Sequence, residues 1–527
     1  MRFYVANPEL AEQREGRFTQ RDWLALLAIC LLAVAIRATV MALLPSILHP
    51  DEVMWLDQAN RIVNHQGLVT WDFQVGERSW VWPGVIAGFM ALGQLFGPPP
   101  SAGLGGVSFL LGILSLAPVT CAFLWGRNVV GFAGAVTAAL LNAVWFELVY
   151  FYAHPLSETF AGAALVVGLY LVYPDRISVE PRRLFSGAMM LGLAMILRPQ
   201  LAPAVAVVVI YVGEMRLRER YPALMGGLAV PIVLSGLLDW VTWGRPFHSL
   251  IAYVYFQTVG GVANSVGPNP IYSYLGWEWV AWGGFGVVIV LCAIYGGLRL
   301  PLLLLTVVII FAVHTAVSHK EYRYISPALP LIVTLAGVGS TMAADWLADR
   351  LGRPQVRRAL MVAVPLAWTI ASIGLAASPD RIWYWVRSRG SILGSQAINA
   401  DKEACGVGIY PNTLWFRFGG YVNLRPGIPL YSAGDTADPI APNAYNYVIS
   451  LQRRNDEQKI DDLPADFAHL GYQQVKCWSD PYSRTLLTER TCHWRRPGTC
   501  DPTSAKLLTP DVGAAFEALV RPSGGMP

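Results

Sequence analysis

A succession of apolar segments, separated by short polar connections, is the feature that most constrains the fold of this 527-residue chain. The segments lie at 23–44, 81–97, 103–125, 130–151, 159–173, 184–197, 201–213, 222–243, 277–297, 300–317, 325–343 and 359–377. A helix of about 20 apolar residues crosses a bilayer, and a composition of 54% hydrophobic and 14% charged residues is unlike that of a soluble protein. The sequence predicts a polytopic α-helical membrane protein with about 11 to 13 transmembrane helices.

Arginines concentrate in alternate connections, and this asymmetry predicts the topology. They include Arg14, Arg17 and Arg21 before the first segment and, later, Arg127, Arg176, Arg182, Arg183, Arg216, Arg218, Arg220, Arg299, Arg350, Arg353, Arg357 and Arg358. The positive-inside rule makes these connections cytoplasmic and leaves 45–80, 152–158, 198–200, 244–276, 318–324 and the chain after 378 on the other side. The connections fall on these two sides consistently only if segment 81–97 does not cross the bilayer. We therefore predict that 81–97 is an interfacial or re-entrant segment.

The chain changes character near residue 378, where the long apolar runs end. We predict a membrane domain over 1–378, with 45–80 as its first extracytoplasmic loop, and a small soluble extracytoplasmic α/β domain over 379–527. Strands are expected at 406–410 and 445–451, with a short helix over 413–424 between them. The tail contains Cys405, Cys477, Cys492 and Cys500. An even number of cysteines outside the cytoplasm favours two disulfides, with three pairings open.

Acidic residues follow the first apolar segment in the run His49-Pro50-Asp51-Glu52. Charge at bilayer depth is costly unless it faces a cavity or a partner, whereas acids at a helix exit suit general-base chemistry on a substrate that arrives from the lipid. Asp72 and Arg78 belong to the same predicted loop. For either acid alone, a solvated helix-end charge explains the pattern equally well.

A second polar cluster, Ser318-His319-Lys320-Glu321-Tyr322-Arg323-Tyr324, separates two late apolar segments on the predicted extracytoplasmic side. Lys320 is the only lysine before residue 402. Closely spaced cations are typical of a phosphate clamp. The alternative is a cytoplasmic charge cluster, which would reverse the topology, but the interleaved Glu321 and two tyrosines argue against it.

In order, these motifs resemble those of the GT-C mannosyltransferases of glycosyltransferase family 22. His49 to Glu52, Thr70 to Phe73, Arg78 to Pro83 and His319 to Tyr324 match the family's signature elements, and a middle stretch carries Asp239, Trp243-Gly244, Phe256, Gly260, Asn264, Gly267, Pro270 and Tyr274. The resemblance covers roughly residues 20–335. Asp72 replaces the usual Glu, Tyr324 replaces the usual Phe, and Gln257 and Val266 differ from the residues usual in the family's middle loop. Because of these differences, the choice of acceptor is the property that the resemblance defines least.

The resemblance implies transfer of a hexose from a polyprenyl-phosphate sugar with inversion of the anomeric centre, and mannose is the first candidate for that hexose. Direct displacement requires a base for the acceptor hydroxyl, and we expect Asp51 in that role, with Glu52 as an alternative base or a support of the loop. Cations stabilise the departing phosphate. We expect His319, Lys320 and Arg323 there, with Arg198 either joining them or serving as a helix-end charge. Asp51 and the Lys320–Arg323 pair, although far apart in sequence, are expected to converge on opposite ends of one lipid-accessible pocket outside the cytosol. We expect support of the acceptor and the loop from His49, Asp72, Arg78, Asp239 and Tyr274. The alternative for Asp239, which lies near a helix end, is a helix cap or an ion-pair partner.

This scheme requires no cofactor and no metal, since the sequence lacks the Asp-x-Asp motif of soluble nucleotide-sugar enzymes and any zinc spacing. The expected partners are the polyprenyl-phosphate sugar, a lipid-linked or glycan acceptor and the membrane, without nucleic acid. The expected location is a bacterial inner membrane, with the site facing the periplasm, or the endoplasmic reticulum in a eukaryote. Alternatives are transfer of arabinose or galactose, protein O-glycosylation, and a lipid or glycan transporter, although internal repeats typical of transporters are missing.

Overall fold

The structure is a computed structural model that describes residues 18–259, 267–379, 381–434, 443–453, 467–481 and 488–509. Its α-helices are α1 Gln20–Leu43, α2 Pro50–Asn64, α3 Trp71–Gln74, α4 Val81–Gln94, α5 Ser101–Val129, α6 Phe132–Val144, α7 Phe146–Phe151, α8 Ser157–Val172, α9 Pro181–Leu197, α10 Ala202–Gly213, α11 Tyr221–Trp243, α12 His248–Val254, α13 Ser273–Trp282, α14 Phe285–Gly297, α15 Pro301–Ala316, α16 Leu329–Leu351, α17 Pro354–Ala376, α18 Ile382–Val386 and α19 Arg389–Ala400. A π-helical turn covers Tyr255–Val259, and 3₁₀ turns cover Pro199–Leu201, Tyr322–Ala328, Asn412–Phe418, Tyr421–Asn423, Ala468–Leu470 and Pro502–Ser504.

Each predicted apolar segment is helical, which confirms the polytopic helical fold. Five helical stretches are long and apolar enough to cross a membrane, namely Gln20–Leu43, Ser101–Val129, Tyr221–Trp243, Tyr322–Leu351 and Pro354–Ala376. The α13 and α14 helices together make a sixth candidate, and several shorter apolar helices accompany them. The structure contains no membrane, so the predicted sides and the interfacial role of 81–97 stay predictions.

Two of the segments predicted as continuous are broken, which corrects the sequence prediction. The segment 277–297 bends by 109° between α13 and α14, where Gly283 has a positive φ of 57° that only glycine adopts readily. The segment 130–151 breaks at Trp145, whose extended backbone separates α6 from α7. Near this break, the guanidinium of the buried Arg37 in α1 donates hydrogen bonds to the carbonyl oxygens of Ala143 at 2.7 Å and Asn142 at 3.2 Å.

The C-terminal domain is a five-stranded sheet with α18 and α19 leading into it. Its strands are β1 Val407–Tyr410, β2 Leu430–Ser432, β3 Tyr447–Arg453, β4 Gln473–Pro481 and β5 Thr488–Arg495, in the order β2-β1-β3-β5-β4. The β2, β1 and β3 strands are parallel, and β5 is antiparallel to both β3 and β4. The strands predicted at 406–410 and 445–451 are therefore confirmed, but the expected helix over 413–424 consists of two 3₁₀ turns.

Two disulfides hold this domain, as its four cysteines predicted. Cys405 pairs with Cys500 near the first strand, and Cys477 pairs with Cys492 across the neighbouring strands β4 and β5. The other cysteines, Cys30, Cys121 and Cys292, are free thiols in membrane helices.

The predicted loop 45–80 contains helices α2 and α3 and packs against the sheet domain. Ile47, Val53 and Leu68 belong to the same buried apolar cluster as residues of β1 and β3. At its centre, the fully buried Asp57 carboxylate accepts backbone hydrogen bonds from Leu68 at 2.9 Å, Tyr421 at 3.1 Å and Val422 at 3.0 Å. The helix that begins with Asp51 and Glu52 is thereby fixed to the C-terminal domain.

Candidate active site

The run His49-Pro50-Asp51-Glu52 forms the first turn of α2. Pro50 occupies the first helical position, where its missing N–H is not needed. The Glu52 carboxylate turns back and accepts the backbone N–H groups of His49 at 2.9 Å and Leu48 at 3.1 Å. Glu52 is buried and supports the loop, which is one of its two predicted roles, while the Asp51 side chain is left to project from the helix start.

Asp51 contacts Arg323, which lies in the Tyr322–Ala328 turn. The Nη1 atom of Arg323 is 2.7 Å from Oδ2 of Asp51, so the two distant motifs meet as predicted. Burial would raise the pKa of the Asp51 carboxyl, but the charges of Arg323 and Arg78 outweigh burial and hold that pKa below its ordinary value. Asp51 is therefore ionised at neutral pH.

Glu321 is the other carboxylate in this cluster with an accessible side chain. Its Oε1 atom accepts from Tyr324 Oη at 2.9 Å, contacts His319 Nε2 at 3.3 Å and accepts from Arg323 Nη2 at 3.3 Å, and its Oε2 atom accepts from Arg323 Nε at 2.8 Å. Both oxygens are thus occupied. No described residue forms a hydrogen bond or ion pair with Oδ1 of Asp51, so Asp51 is the better placed acid to accept a proton.

Arg323 and Arg198 share a third carboxylate, that of the fully buried Glu158. Oε1 of Glu158 lies 3.3 Å from Arg198 Nη2 and 3.7 Å from Arg323 Nε. The Arg198 guanidinium also lies over the ring of Tyr324, 5.2 Å from its centroid. Both arginines were predicted to bind the donor phosphate, and these roles stay predictions.

The predicted phosphate ligands His319 and Lys320 contact backbone carbonyl oxygens of nearby chain segments. Lys320 Nζ donates to the carbonyl oxygens of Val317 at 2.6 Å and Asn269 at 3.2 Å. His319 contacts the Gly267 carbonyl at 3.2 Å through Nδ1 and Glu321 through Nε2. The Glu321 contact raises the pKa of His319. Their roles toward a phosphate stay predictions.

The predicted support residues surround this cluster in different ways. Arg78 Nε lies 3.1 Å from Oδ2 of Asp72. Oδ2 of Asp239 accepts the backbone N–H and the hydroxyl of Ser249, which ties the end of α11 to α12. Tyr274 is buried in α13. His49 Nδ1 lies 3.7 Å from Oε2 of Glu321, and burial, reinforced by the charge of Arg323, lowers the His49 pKa to about 3, so its ring is neutral.

Two cavities are lined by neighbours of the Asp51–Arg323 pair, one by Glu321 and the other by Arg78. The cavity that we call aromatic has a volume of about 320 Å³ and lies among α7, α13, α18 and the segment 320–322. It is lined by Leu48, His49, Phe146, Glu147, Tyr150, Phe151, Trp277, Val280, Ala281, Lys320, Glu321, Tyr322, Arg381, Trp383, Tyr384, Trp385 and Arg387.

The cavity that we call aliphatic has a volume of about 260 Å³ and lies among α4, α9, α11 and α12. Met195, Ile196, Leu197, Ile232 and Leu250 give it an apolar wall. Arg78, Glu77 and Ser79 line its polar end. Since Arg78 also depresses the pKa of Asp51, this polar end lies close to the acid.

Across the described ranges, no group of three His, Cys, Asp or Glu side chains is arranged to hold a metal ion. Gly260, Asn264 and Val266, which contribute to the family-like middle loop, lie outside the described residues.

Sequence reasoning missed Glu147 and gave Glu158 no role. Both acids lie in or beside apolar segments, and a lone carboxylate in such a segment is a signal of function. Glu147 is buried in α7 and lines the aromatic cavity. The partners of each acid, such as Trp282 for Glu147 and Arg323 for Glu158, lie far away in the sequence, so the sequence alone does not indicate a role.

Comparison with known sequences places this arrangement in a family context. Residues 28–386 match the sequence model of the Alg9-like mannosyltransferase family. The chain is 25% identical over 369 residues to GPI alpha-1,2-mannosyltransferase 3 of Mus musculus, covering 66% of this chain and 64% of that protein. It is 25% identical over 388 residues to GPI mannosyltransferase 3 of Drosophila melanogaster, covering 68% and 62%. The chain thus spans less than two thirds of the length of these relatives.

Comparison with solved structures shows the same fold beyond the matched region. The chain resembles ArnT from Cupriavidus metallidurans in its apo state, with a TM-score of 0.56, 12% identity and coverage of 92% of this chain and 99% of ArnT. For the ArnT structure bound to undecaprenyl phosphate, the TM-score is 0.55 at the same identity, with coverage of 90% and 98%. The fold is therefore of the GT-C type, including the C-terminal sheet domain.

Proposed function

The chain belongs to the Alg9-like mannosyltransferase family, and from this premise we propose that it transfers mannose, with inversion, from a polyprenyl-phosphate donor to a hydroxyl of a lipid-linked or glycan acceptor. The reaction takes place at the extracytoplasmic face of the membrane. The observation that carries this proposal is the contact between Asp51 and Arg323, which brings an ionised acid and a fixed cation together.

Asp51 acts as the general base. Its Oδ1 atom accepts the proton of the acceptor hydroxyl while that oxygen attacks the anomeric carbon and the bond from this carbon to the phosphate oxygen breaks. Arg323 orients the carboxylate through Oδ2 and keeps it ionised. Glu158 and Glu321 in turn hold the guanidinium in place, so the base has one orientation before substrate arrives.

The donor occupies the aliphatic cavity. Side chains such as Ile196, Leu197 and Ile232 offer the prenyl chain an apolar wall between membrane helices. Arg78 at the polar end binds the phosphate and stabilises the charge that grows as the sugar leaves. We assign this role to Arg78 in place of Lys320, because the Lys320 ammonium is turned toward backbone carbonyl oxygens on the other cavity.

The test is transfer by the purified protein in lipid nanodiscs. The protein is incubated with polyprenyl-phosphate [14C]mannose and a lipid extract, and the products are separated and their anomeric configuration determined. We expect label in a glycolipid product with inverted configuration. Consumption of a nucleotide sugar with no use of the prenyl donor would overturn the proposal.

A further inference from the structure

Glu147 is a buried acid that the proposed transfer does not use. Its Oε2 atom accepts hydrogen bonds from the indole N–H groups of Trp145 at 2.8 Å and Trp282 at 2.7 Å. Its Oε1 atom is buried and accepts no hydrogen bond from any described residue. A buried carboxylate oxygen without a donor is costly, which indicates that a ligand supplies the missing donor.

The wall around Glu147 indicates the chemical class of that ligand. Glu147 lines the aromatic cavity together with the rings of Trp277, Tyr322 and Trp385. The cations Lys320, Arg381 and Arg387 also line it, and Lys320 and Arg381 donate hydrogen bonds to backbone carbonyl oxygens. Flat apolar faces combined with a fixed polar acceptor suit a sugar ring, which has apolar C–H faces and hydroxyl donors at its edge. A prenyl chain has no donor to offer the carboxylate, so it does not satisfy Glu147.

The position of this cavity relates it to the reaction. His49 and Glu321, which line it, are next to Asp51 and Arg323 in space and in sequence. Arg78, whose charge acts on Asp51, lines the aliphatic cavity. An inverting displacement needs the acceptor and the departing phosphate on opposite sides of the sugar that moves, so the two substrates need separate cavities.

We propose that the aromatic cavity is the binding site of the acceptor's terminal sugar, a neutral hexose whose hydroxyl groups donate to Oε1 of Glu147 and whose ring packs against Trp277. This assignment rests on the proposed function for its place in the reaction. It makes Glu147 a specificity-determining residue for the acceptor and not for the donor.

The test separates sugar binding from transfer. Binding of α-mannobiose to the protein in nanodiscs is measured by microscale thermophoresis, and KM values are measured with octyl α-mannoside as acceptor and polyprenyl-phosphate mannose as donor. Glu147→Gln is compared with Asp22→Asn, a buried acid in α1 that lines neither cavity. Trp277→Leu is compared with Trp279→Leu, which is 62% exposed on the same helix.

We expect Glu147→Gln and Trp277→Leu to weaken mannobiose binding about 10-fold or more, to raise the acceptor KM in parallel and to leave the donor KM unchanged. The two control variants retain wild-type binding. Absent binding by the wild type, equal binding by Glu147→Gln, or a change in donor KM alone would overturn the assignment. Mannobiose binding that depends on Glu147 without any transfer would instead overturn the proposed function and leave this sugar site standing.

Discussion

Nη1 of Arg323 lies 2.7 Å from Oδ2 of Asp51, although the two residues come from opposite ends of the membrane part of the sequence. The contact joins the start of α2 to the turn that precedes α16. Because Arg323 also contacts Glu321 and Glu158, one guanidinium fixes the position of the proposed base relative to the rest of the cluster.

The Arg323→Gln variant tests how this cation acts on Asp51. Without the guanidinium, burial dominates and raises the pKa of Asp51. Since the base must be deprotonated, the acid limb of the pH profile of kcat moves to higher pH. The Arg323→Lys variant keeps the charge and should keep the limb closer to that of the wild type. An unchanged limb in Arg323→Gln would show that Asp51 is not the titrating group.

Loss of this arginine also leaves buried carboxylates without a partner. Breaking a buried ion pair by removing one member costs about 3 to 5 kcal/mol, so Arg323→Gln should lower the thermal unfolding temperature. The pH profile is therefore measured at a temperature at which each variant is folded.

The Arg78→Gln variant tests the assignment of the donor phosphate. Removing this cation from the aliphatic cavity should raise the donor KM and lower kcat, because the charge on the leaving phosphate grows toward the transition state. Lys320→Gln should affect the donor KM less, since its ammonium faces backbone carbonyl oxygens. A larger rise in the donor KM for Lys320→Gln than for Arg78→Gln would contradict this assignment and support the sequence-based prediction that Lys320 binds the phosphate. Steady-state kinetics at varied donor concentration decide between them.

Asp57 is expected to hold α2 against the C-terminal domain. The Asp57→Asn variant replaces one acceptor oxygen by an N–H₂ group that faces backbone donors, and an unsatisfied buried group costs about 1 to 3 kcal/mol. We expect a lower unfolding temperature and reduced kcat, although Asp57 lines neither cavity. Gly420→Ala should act in the same direction, because its Cβ would lie 2.6 Å from both Asp57 oxygens at a positive φ. The matched control is Asp349→Asn, whose side chain is 71% exposed; equal behaviour of the two Asn variants would contradict this role.

The two disulfides should differ in their effect on stability. Cys405 and Cys500 are 95 residues apart and close a long loop, worth about 4.7 kcal/mol in the chain-entropy model. Cys477 and Cys492 are 15 residues apart, worth about 3 kcal/mol, and lie on paired strands that already hold them together. The paired Cys→Ser variants are compared by thermal unfolding, and a greater loss on removing the Cys477–Cys492 bond would contradict this order.

Much of this architecture follows from the sequence, because apolar length and charged motifs are local properties. The meeting of Asp51 with Arg323 was predicted, since motifs on one predicted side of a membrane share a limited space. The break at Trp145 was not predicted, because a broken apolar segment has the same composition as a continuous one. The pair Gly283-Gly284 is compatible with a turn or with close helix packing, and the structure shows the turn. The phosphate roles of Arg198 and Arg323 stay predictions, and sequence does not reveal that the Glu158 carboxylate contacts both guanidinium groups. The packing of Asp57 on the 421–422 turn depends on distant backbone groups, which leave no local pattern.

The central claim is that Asp51 removes the proton of the acceptor hydroxyl. The direct measurement compares single-turnover transfer of [14C]mannose from the polyprenyl-phosphate donor by the wild type and by Asp51→Asn, with donor binding measured on the same nanodisc samples. We predict a loss of transfer of at least about 100-fold, consistent with removal of a general base, while the variant still folds and binds donor. Transfer by Asp51→Asn within a few-fold of the wild-type rate would contradict the account.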